Sequence, residues 1–297
     1  MVNAMVLTSF FEALFTYDFI FYALIAGILV GALAPMIGSV VVIRRLSFIA
    51  DTISHFSLAG VCLGVILSRL ITFNNVSPVL MGVVFSVLGT FLIELLRNFY
   101  KNYKEISMPI VMSLGLALSG LLINISPYIN SQYTTSLLYG SIYSVSLSSL
   151  IVILIASALI IIFATLFYKQ ILNLCFDETF AKISGLKVKL LQLSITIILS
   201  LVISLFLNVI GVLLISSLMI LPIAAAILIG TSFFKTVSLS VLFSEISVIF
   251  GFIISYHTDL STGPIIIIIN LIIYVVIITI KTIRKRYFKK EKLVIED

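Results

Sequence analysis

"RRLSFIADTISHFSLAG", Arg44 to Gly60, sets two arginines before an apolar run and then places an aspartate and a histidine four residues apart inside it. Whether that run crosses a membrane decides the fold, and composition answers. Of 297 residues, 61% are hydrophobic and 10% are charged, against roughly 25% charged in a soluble domain. The apolar residues come in stretches of about 20 or more, the length of helix that spans a bilayer. The chain reads as all-α, a polytopic transmembrane helical bundle of eight or nine spans.

Outward from that stretch, nine apolar segments lie at about 19–43, 46–72, 77–97, 107–125, 147–168, 189–207, 209–230, 236–256 and 263–281. Asn208 alone separates the sixth and seventh, so one of these is expected to be broken or re-entrant. The polar, aromatic stretch 126–146 reads as an outer loop with partial re-entry. With the N-terminus outside, every Lys and Arg except Arg69 falls on the cytoplasmic side, as positive-inside orientation requires. The C-terminus is then cytoplasmic too. The expected division is an outer interfacial segment at 1–18, a transmembrane domain at 19–281 and a basic cytoplasmic tail at 282–297. The net charge of +6 is accounted for by orientation signals, which argues against a nucleic-acid partner. The N-terminal stretch through Phe19 has no Lys or Arg, hence no signal-peptide n-region. Cys62 and Cys175 form neither a disulfide framework nor a zinc cluster. Gly27 with Gly31 and Gly60 with Gly64 have the spacing that lets helix backbones approach, and Pro35 and Pro222 are expected to kink their spans.

Asp51 and His55 share a helix face, about 6 Å apart along the axis. An acid at mid-span costs roughly 2.5–3.5 kcal/mol and belongs against the bundle interior. Three uses fit the pair: chelation of one divalent cation, an internal hydrogen bond that fixes packing, or a proton relay. The mixed oxygen and nitrogen donors suit manganese, zinc or ferrous iron. Cys62 lies about 10 Å further along the helix and reads as core. Glu245, in "SLSVLFSEISVIFGF", is the other deep acid, able to complete a site, act as a gate or bond a hydroxyl such as Ser244. Glu94, one turn before Arg97, reads as a snorkelling interfacial residue. His257 and Asp259 lie at the outer end of the eighth segment, as a cation entrance or as solvated loop. The loop at about 169–188, acidic early and basic later, suits a short cytoplasmic docking helix or an ordinary solvated loop.

"RRLSFIADTISHFSLAGVCLG" resembles the second span of the membrane permeases of bacterial ABC importers for zinc, manganese and related metals. "FDETFAKISGL" (176–186), "GVLLISSLMILPIAAA" (211–226) and "DLSTGPIIII" (259–268) resemble further landmarks of that family. The sequence departs from the pattern at Ala50, Phe56 and Ala59, which affects helix geometry and pocket width but leaves Asp51 and His55 in place. The resemblance implies that Asp51 and His55 are metal ligands of a translocation site. It also implies that Asp177, Glu178, Ala181 and Gly185 belong to a coupling helix that docks on an ATPase. The chain has no G-x-x-x-x-G-K-[ST] phosphate loop, so ATP hydrolysis falls to a separate ATPase dimer and the chain itself is no enzyme. Two copies of this subunit and an extracytoplasmic metal-binding lipoprotein or periplasmic protein complete the expected assembly in the bacterial cytoplasmic membrane. Manganese or zinc is then the cargo, with no permanently bound cofactor. The rival is a proton-coupled secondary transporter using Asp51, His55 and Glu245 as a relay. No inverted repeat is visible for it, and an intramembrane metalloenzyme would lack H-E-x-x-H.

Overall fold

The computed structural model describes residues 10, 12–70, 77–100, 102–140 and 145–295, with side chains except at Asn208 and beyond Lys285. Most of the expected outer segment therefore falls outside the described residues, although residues 12–16 are helical. Each apolar run closes into a helix, because a backbone in hydrocarbon must satisfy its own N–H and C=O groups. After the 12–16 stretch the helices in chain order, three of them short and outside the apolar runs, are α1 (Asp18–Ile43), α2 (Ile49–Leu70), α3 (Pro78–Phe99), α4 (Ser107–Ile125), α5 (Ser131–Tyr139) and α6 (Leu147–Leu166). There follow α7 (Tyr168–Phe176), α8 (Glu178–Ile183), α9 (Val188–Ile210), α10 (Val212–Ile227), α11 (Phe233–Thr258) and α12 (Thr262–Ile295). Among the described residues there is no strand. The last helix runs through the stretch expected as a tail.

Among the described residues eight helices are long and apolar enough to cross a bilayer, and α10 is shorter. Its 16 residues reach about 24 Å at the usual helical rise, less than the ~30 Å hydrocarbon core. The interruption between the sixth and seventh segments sits at Gly211, whose φ of 87° turns the chain after α9. Asn208 remains within α9. A short helix is tolerated at membrane depth only where protein covers its ends. α10 is wrapped by α1, α2, α11 and α12, and α5 closes over its start. A Cβ on Gly211 would strike the Gly140 amide nitrogen, one on Gly140 the Ile210 carbonyl, and one on Gly263 the Tyr139 carbonyl. Three glycines thus bring the end of α5, the α9–α10 turn and the start of α12 into backbone contact. α5 lies in the stretch expected as a loop with partial re-entry. Its cap is Asn130, whose side-chain oxygen accepts from the Tyr133 amide at 2.7 Å. Residues 141–144 of that stretch fall outside the described residues.

α2 is the most enclosed span, held by α3, α4, α9 and α10. Gly60 and Gly64 press it against Met81 and Pro78 of α3, and Gly115 of α4 would carry a Cβ 2.9 Å from the Phe56 amide nitrogen. The Thr52 hydroxyl donates to the Met108 carbonyl at 3.1 Å, and the Ser57 hydroxyl to Ser204 of α9 at 2.8 Å. A second group forms around α1, α10, α11 and α12, where Gly27 and Gly31 admit Phe252 and Val248 of α11.

The glycines give a paired test. Gly120 of α4 faces open space, so Gly120→Ala is expected to gain about 0.5–1 kcal/mol from reduced backbone entropy. Gly211→Ala puts a Cβ on a positive φ and against backbone, which is expected to cost more than ~2 kcal/mol. Thermal unfolding in detergent should move the two Tm values in opposite directions; a common direction would contradict the junction described.

Candidate functional site

Asp51 and His55 are positioned by the turn that ends α1. The Leu46 amide donates to the Val41 carbonyl at 2.9 Å and the Arg45 amide to Val42 at 3.0 Å, a Schellman closure with Arg45 left-handed at φ 57°. The chain re-enters a helix at Ile49, so Asp51 lies in the first turn of α2, where the helix dipole favours an acid. His55 is 8% exposed and Asp51 half-buried. Among the described residues no hydrogen bond or ion pair links the two, and the His55 Nδ1 is buried without a partner. The Ser54 Oγ, three residues after Asp51, is likewise buried and unpartnered. Buried polar atoms are ordinarily bonded. A carboxylate, an imidazole nitrogen and a hydroxyl left uncommitted on adjacent turns can exchange water for protein around one divalent ion. Ser54 was not singled out as a donor from the sequence, although its i,i+3 spacing from Asp51 carried the signal.

The structure places the other acids elsewhere. Glu245 of α11 packs on α1, its Oε1 close to where a Cβ of Gly31 would lie. That Oε1 and the neighbouring Ser244 Oγ are both buried without partners, so no hydrogen bond joins them. No group of three or more His, Cys, Asp or Glu side chains converges among the described residues. Glu245 therefore does not form a three-ligand cluster with Asp51 and His55. Asn270 of α12, with both side-chain amide atoms buried and unpartnered, was not picked out either; its signal was a lone polar residue in "PIIIIINLII". Asp259 ends α11 in the left-handed conformation and lines a cavity of about 370 Å³ with Ser131, Gln132, Thr135 and Ser261. His257 is not in that lining; it is exposed and meets Tyr256 edge-on at 5.1 Å.

The 169–188 segment folds as α7 and α8, and each of its four singled-out residues has a structural place. Asp177 caps α8, its Oδ1 accepting from the Thr179 and Phe180 amides at 2.8 and 3.0 Å. Glu178 pairs with Lys182 at 2.8 Å, a bond that holds the Glu178 carboxyl below its usual range. Ala181 is fully buried in a small core with Leu174, Val188 and Leu191. Gly185, at φ 79°, closes the helix: its amide bonds the Lys182 carbonyl and the Leu186 amide bonds Ala181, both at 3.1 Å. The outer face of this capped helix leaves Phe180 56% and Ile183 81% exposed. Behind it, Arg44 donates to Gln192 Oε1 at 3.0 Å, Gln192 donates to Glu94 Oε1 at 3.1 Å, and Arg97 pairs with the same oxygen at 2.9 Å.

Residues 16–281 match the model of the ABC 3 transport family. The chain is 30% identical over 264 residues to a probable metal transport system membrane protein of Treponema pallidum, across 89% of this chain and 96% of the other. It is 28% identical over 287 residues to the manganese transport system membrane protein MntC of Listeria monocytogenes, across 97% and 99%. The solved structure titled PsaBC from Streptococcus pneumoniae in complex with Fab superposes with a TM-score of 0.78 at 26% identity, over 91% of this chain and 95% of that one. Further relatives carry names for iron and for zinc uptake.

The seat of the capped helix can be probed through Cys175. Burial pushes its thiol up to about 11, with the Arg44 guanidinium opposing the shift. At pH 8 the thiolate fraction is then roughly a hundredfold below that of an ordinary cysteine. Iodoacetamide labelling of Cys175 in the native protein should be slower than in the denatured chain by about that factor. Equal rates would mean that α7 does not bury this face.

Proposed function

The chain belongs to the ABC 3 transport family, and we propose that it is the permease subunit of an ATP-driven importer carrying manganese, zinc or iron(II) ions inward across a bacterial cytoplasmic membrane. The observation behind this reading is the pair of uncommitted donors on α2, a buried and unpartnered His55 Nδ1 one turn from the half-buried Asp51. In this reading the N-terminus is outside and the basic ends of the helices are cytoplasmic. A binding protein presents the ion at the outer face, where the polar cavity beside Asp259 receives it with its hydration still largely intact. Asp51 and His55, with Ser54 beside them, then replace part of that hydration. Two strong ligands from the chain hold the ion loosely enough for it to leave again, as conduction requires. Ligation needs a deprotonated carboxylate and a neutral imidazole. Protons therefore compete with the ion, and uptake should fall as pH falls.

The energy enters through α8. Its exposed Phe180 and Ile183 offer an apolar face on a capped, anchored helix outside the spans, suited to docking on a separate ATPase subunit. Two copies of the chain would stand over an ATPase dimer, whose closing and opening re-aims the path between the outer and inner sides. The second reading, a proton-coupled carrier, draws on the unpartnered Glu245 Oε1. Its seat on α11 against Gly31 of α1, apart from the α2 pair, disfavours a single relay.

The test is ATP-dependent uptake of radioactive manganese, zinc and iron(II) in vesicles containing this chain, an ATPase and a binding protein. Asp51→Asn and His55→Ala are each expected to lower uptake by at least about tenfold while leaving ATPase assembly intact. Unchanged uptake in both would return the pair to helix packing, and uptake driven by a proton gradient without ATP would favour the carrier. Ile183→Asp should instead release the ATPase from the membrane fraction with the ion site intact.

A further inference from the structure

A cavity of about 440 Å³ opens where five helices end together. Its wall includes Met36 of α1, Phe163 and Ala164 of α6, Tyr168 of α7, Ile198 of α9 and Phe234 of α11. These positions lie at the last third of α1, the end of α6, the start of α7, the first half of α9 and the start of α11. The cavity therefore sits at the end of the bundle that bears Arg44, Lys169, Lys187 and Lys235.

The chemistry of the wall selects the occupant. The lining is almost wholly apolar, and its two internal hydroxyls are already committed. Ser39 donates to the Met36 carbonyl at 2.6 Å, and Thr165 to the Ile161 carbonyl at 2.9 Å. With their hydrogens spent, these two hydroxyls keep only oxygen lone pairs in an otherwise apolar interior, so nothing inside donates to a polar ligand. A void of this size would forfeit the packing of everything around it. The outward face beside it, with Leu159, Ile162 and Leu166 exposed on α6, is continuous with the lipid-facing surface. The rim is different in kind. Tyr168 is half-exposed, and Lys169 and Lys235, adjacent in sequence to Tyr168 and Phe234, are exposed and have no ion-pair partner among the described residues. Aromatic rings and lysines at a helix end mark the level of lipid headgroups, and lysines there favour anionic ones.

We propose that this cavity is a specific site for one anionic phospholipid, an acyl chain filling the apolar pocket and the headgroup phosphate meeting Lys169, Lys235 and the Tyr168 hydroxyl. The site lies between the end of α1, which leads into the Asp51 helix, and α7, which leads into the docking helix. A bound acyl chain would wedge these two elements at a fixed spacing. The proposal does not depend on which ion is carried or on whether Asp51 and His55 bind it.

The test is native mass spectrometry of the full-length chain, purified with its ATPase subunit from nanodiscs holding equal phosphatidylglycerol and phosphatidylcholine. Wild type is expected to retain about one lipid per chain after detergent exchange, with phosphatidylglycerol preferred by roughly tenfold through the two lysines. Ala164→Trp, which fills the pocket, should remove the retained lipid. Lys169→Ala with Lys235→Ala leaves the apolar wall untouched and should keep a lipid while bringing the preference close to one. A wild type that sheds every lipid on exchange would show annular lipid only and overturn the site. Retention unchanged in Ala164→Trp, with its unfolding temperature intact, would overturn it too, as would a preference unmoved by the double lysine variant. A lowered unfolding temperature in Ala164→Trp leaves the decision to the lysine pair, which lies outside the core.

Discussion

A carboxylate and an imidazole inside a hydrocarbon layer have to be enclosed by protein, and the arrangement around α2 follows from that constraint. For an acid at the centre of a span the cost is roughly 2.5–3.5 kcal/mol; Asp51 lies in the first turn of α2 rather than at mid-span as expected, where the cost is lower but enclosure is still favoured. α2 is accordingly surrounded by α3, α4, α9 and α10, while the helices farther out turn apolar faces to lipid. Lipid supplies no hydrophobic drive for this assembly. Close approach through Gly60, Gly64 and Gly115 and the hydroxyl bonds of Thr52 and Ser57 supply it instead.

Much of this was legible in the sequence because the bilayer narrows the choices. Runs of twenty apolar residues have one viable backbone, so the spans and their order could be read without tertiary knowledge. The Asp51–His55 pair was readable for the same reason: spacing alone puts both on one face. The stretch 169–188 was open to a short docking helix or an ordinary loop; Asp177 and Gly185, which end the helix found there, act locally. What resisted reading depends on partners distant in sequence. Asn208 drew attention as the polar interruption, whereas the turn occurs at Gly211, where a positive φ and the contact with Gly140 both call for glycine. The seat of Glu245 on Gly31 and the isolation of the Asn270 amide are likewise set by which helices pack together, and no local pattern in α11 or α12 encodes that.

The short α10 ties these observations together. A full-length span in its place would have reached both surfaces and separated the two groups of helices. At 16 residues it leaves room above its start for α5, and the three-glycine junction closes that room with backbone rather than side chains. α10 also touches both α2 and α1, so it joins the helix bearing Asp51 and His55 to the helices of the second group. A proline inside it, Pro222, sits in protein rather than lipid, where its missing amide can be accommodated.

The connection at the opposite end is polar. Arg44, Gln192, Glu94 and Arg97 form one chain of bonds from the end of α1 through α9 to α3. α9 starts at Val188, three residues after the Gly185 that closes α8, so Gln192 lies little more than one turn into α9. Arg44 lies just ahead of the turn that aims Asp51. Exposed ion pairs contribute little, but Arg97 and Glu94 are only 12% and 24% exposed, and bonds to charged groups in such settings are worth about 1.5–3 kcal/mol each. A displacement of α9 at Gln192 must then carry Arg44 with it or break such a bond. Apolar packing at the same place could slide by fractions of an ångström without resistance. A hydrogen-bonded joint is held at one geometry until it is broken, and under the proposed function that is the property needed where motion of α8 has to reach Asp51 and His55 on another span.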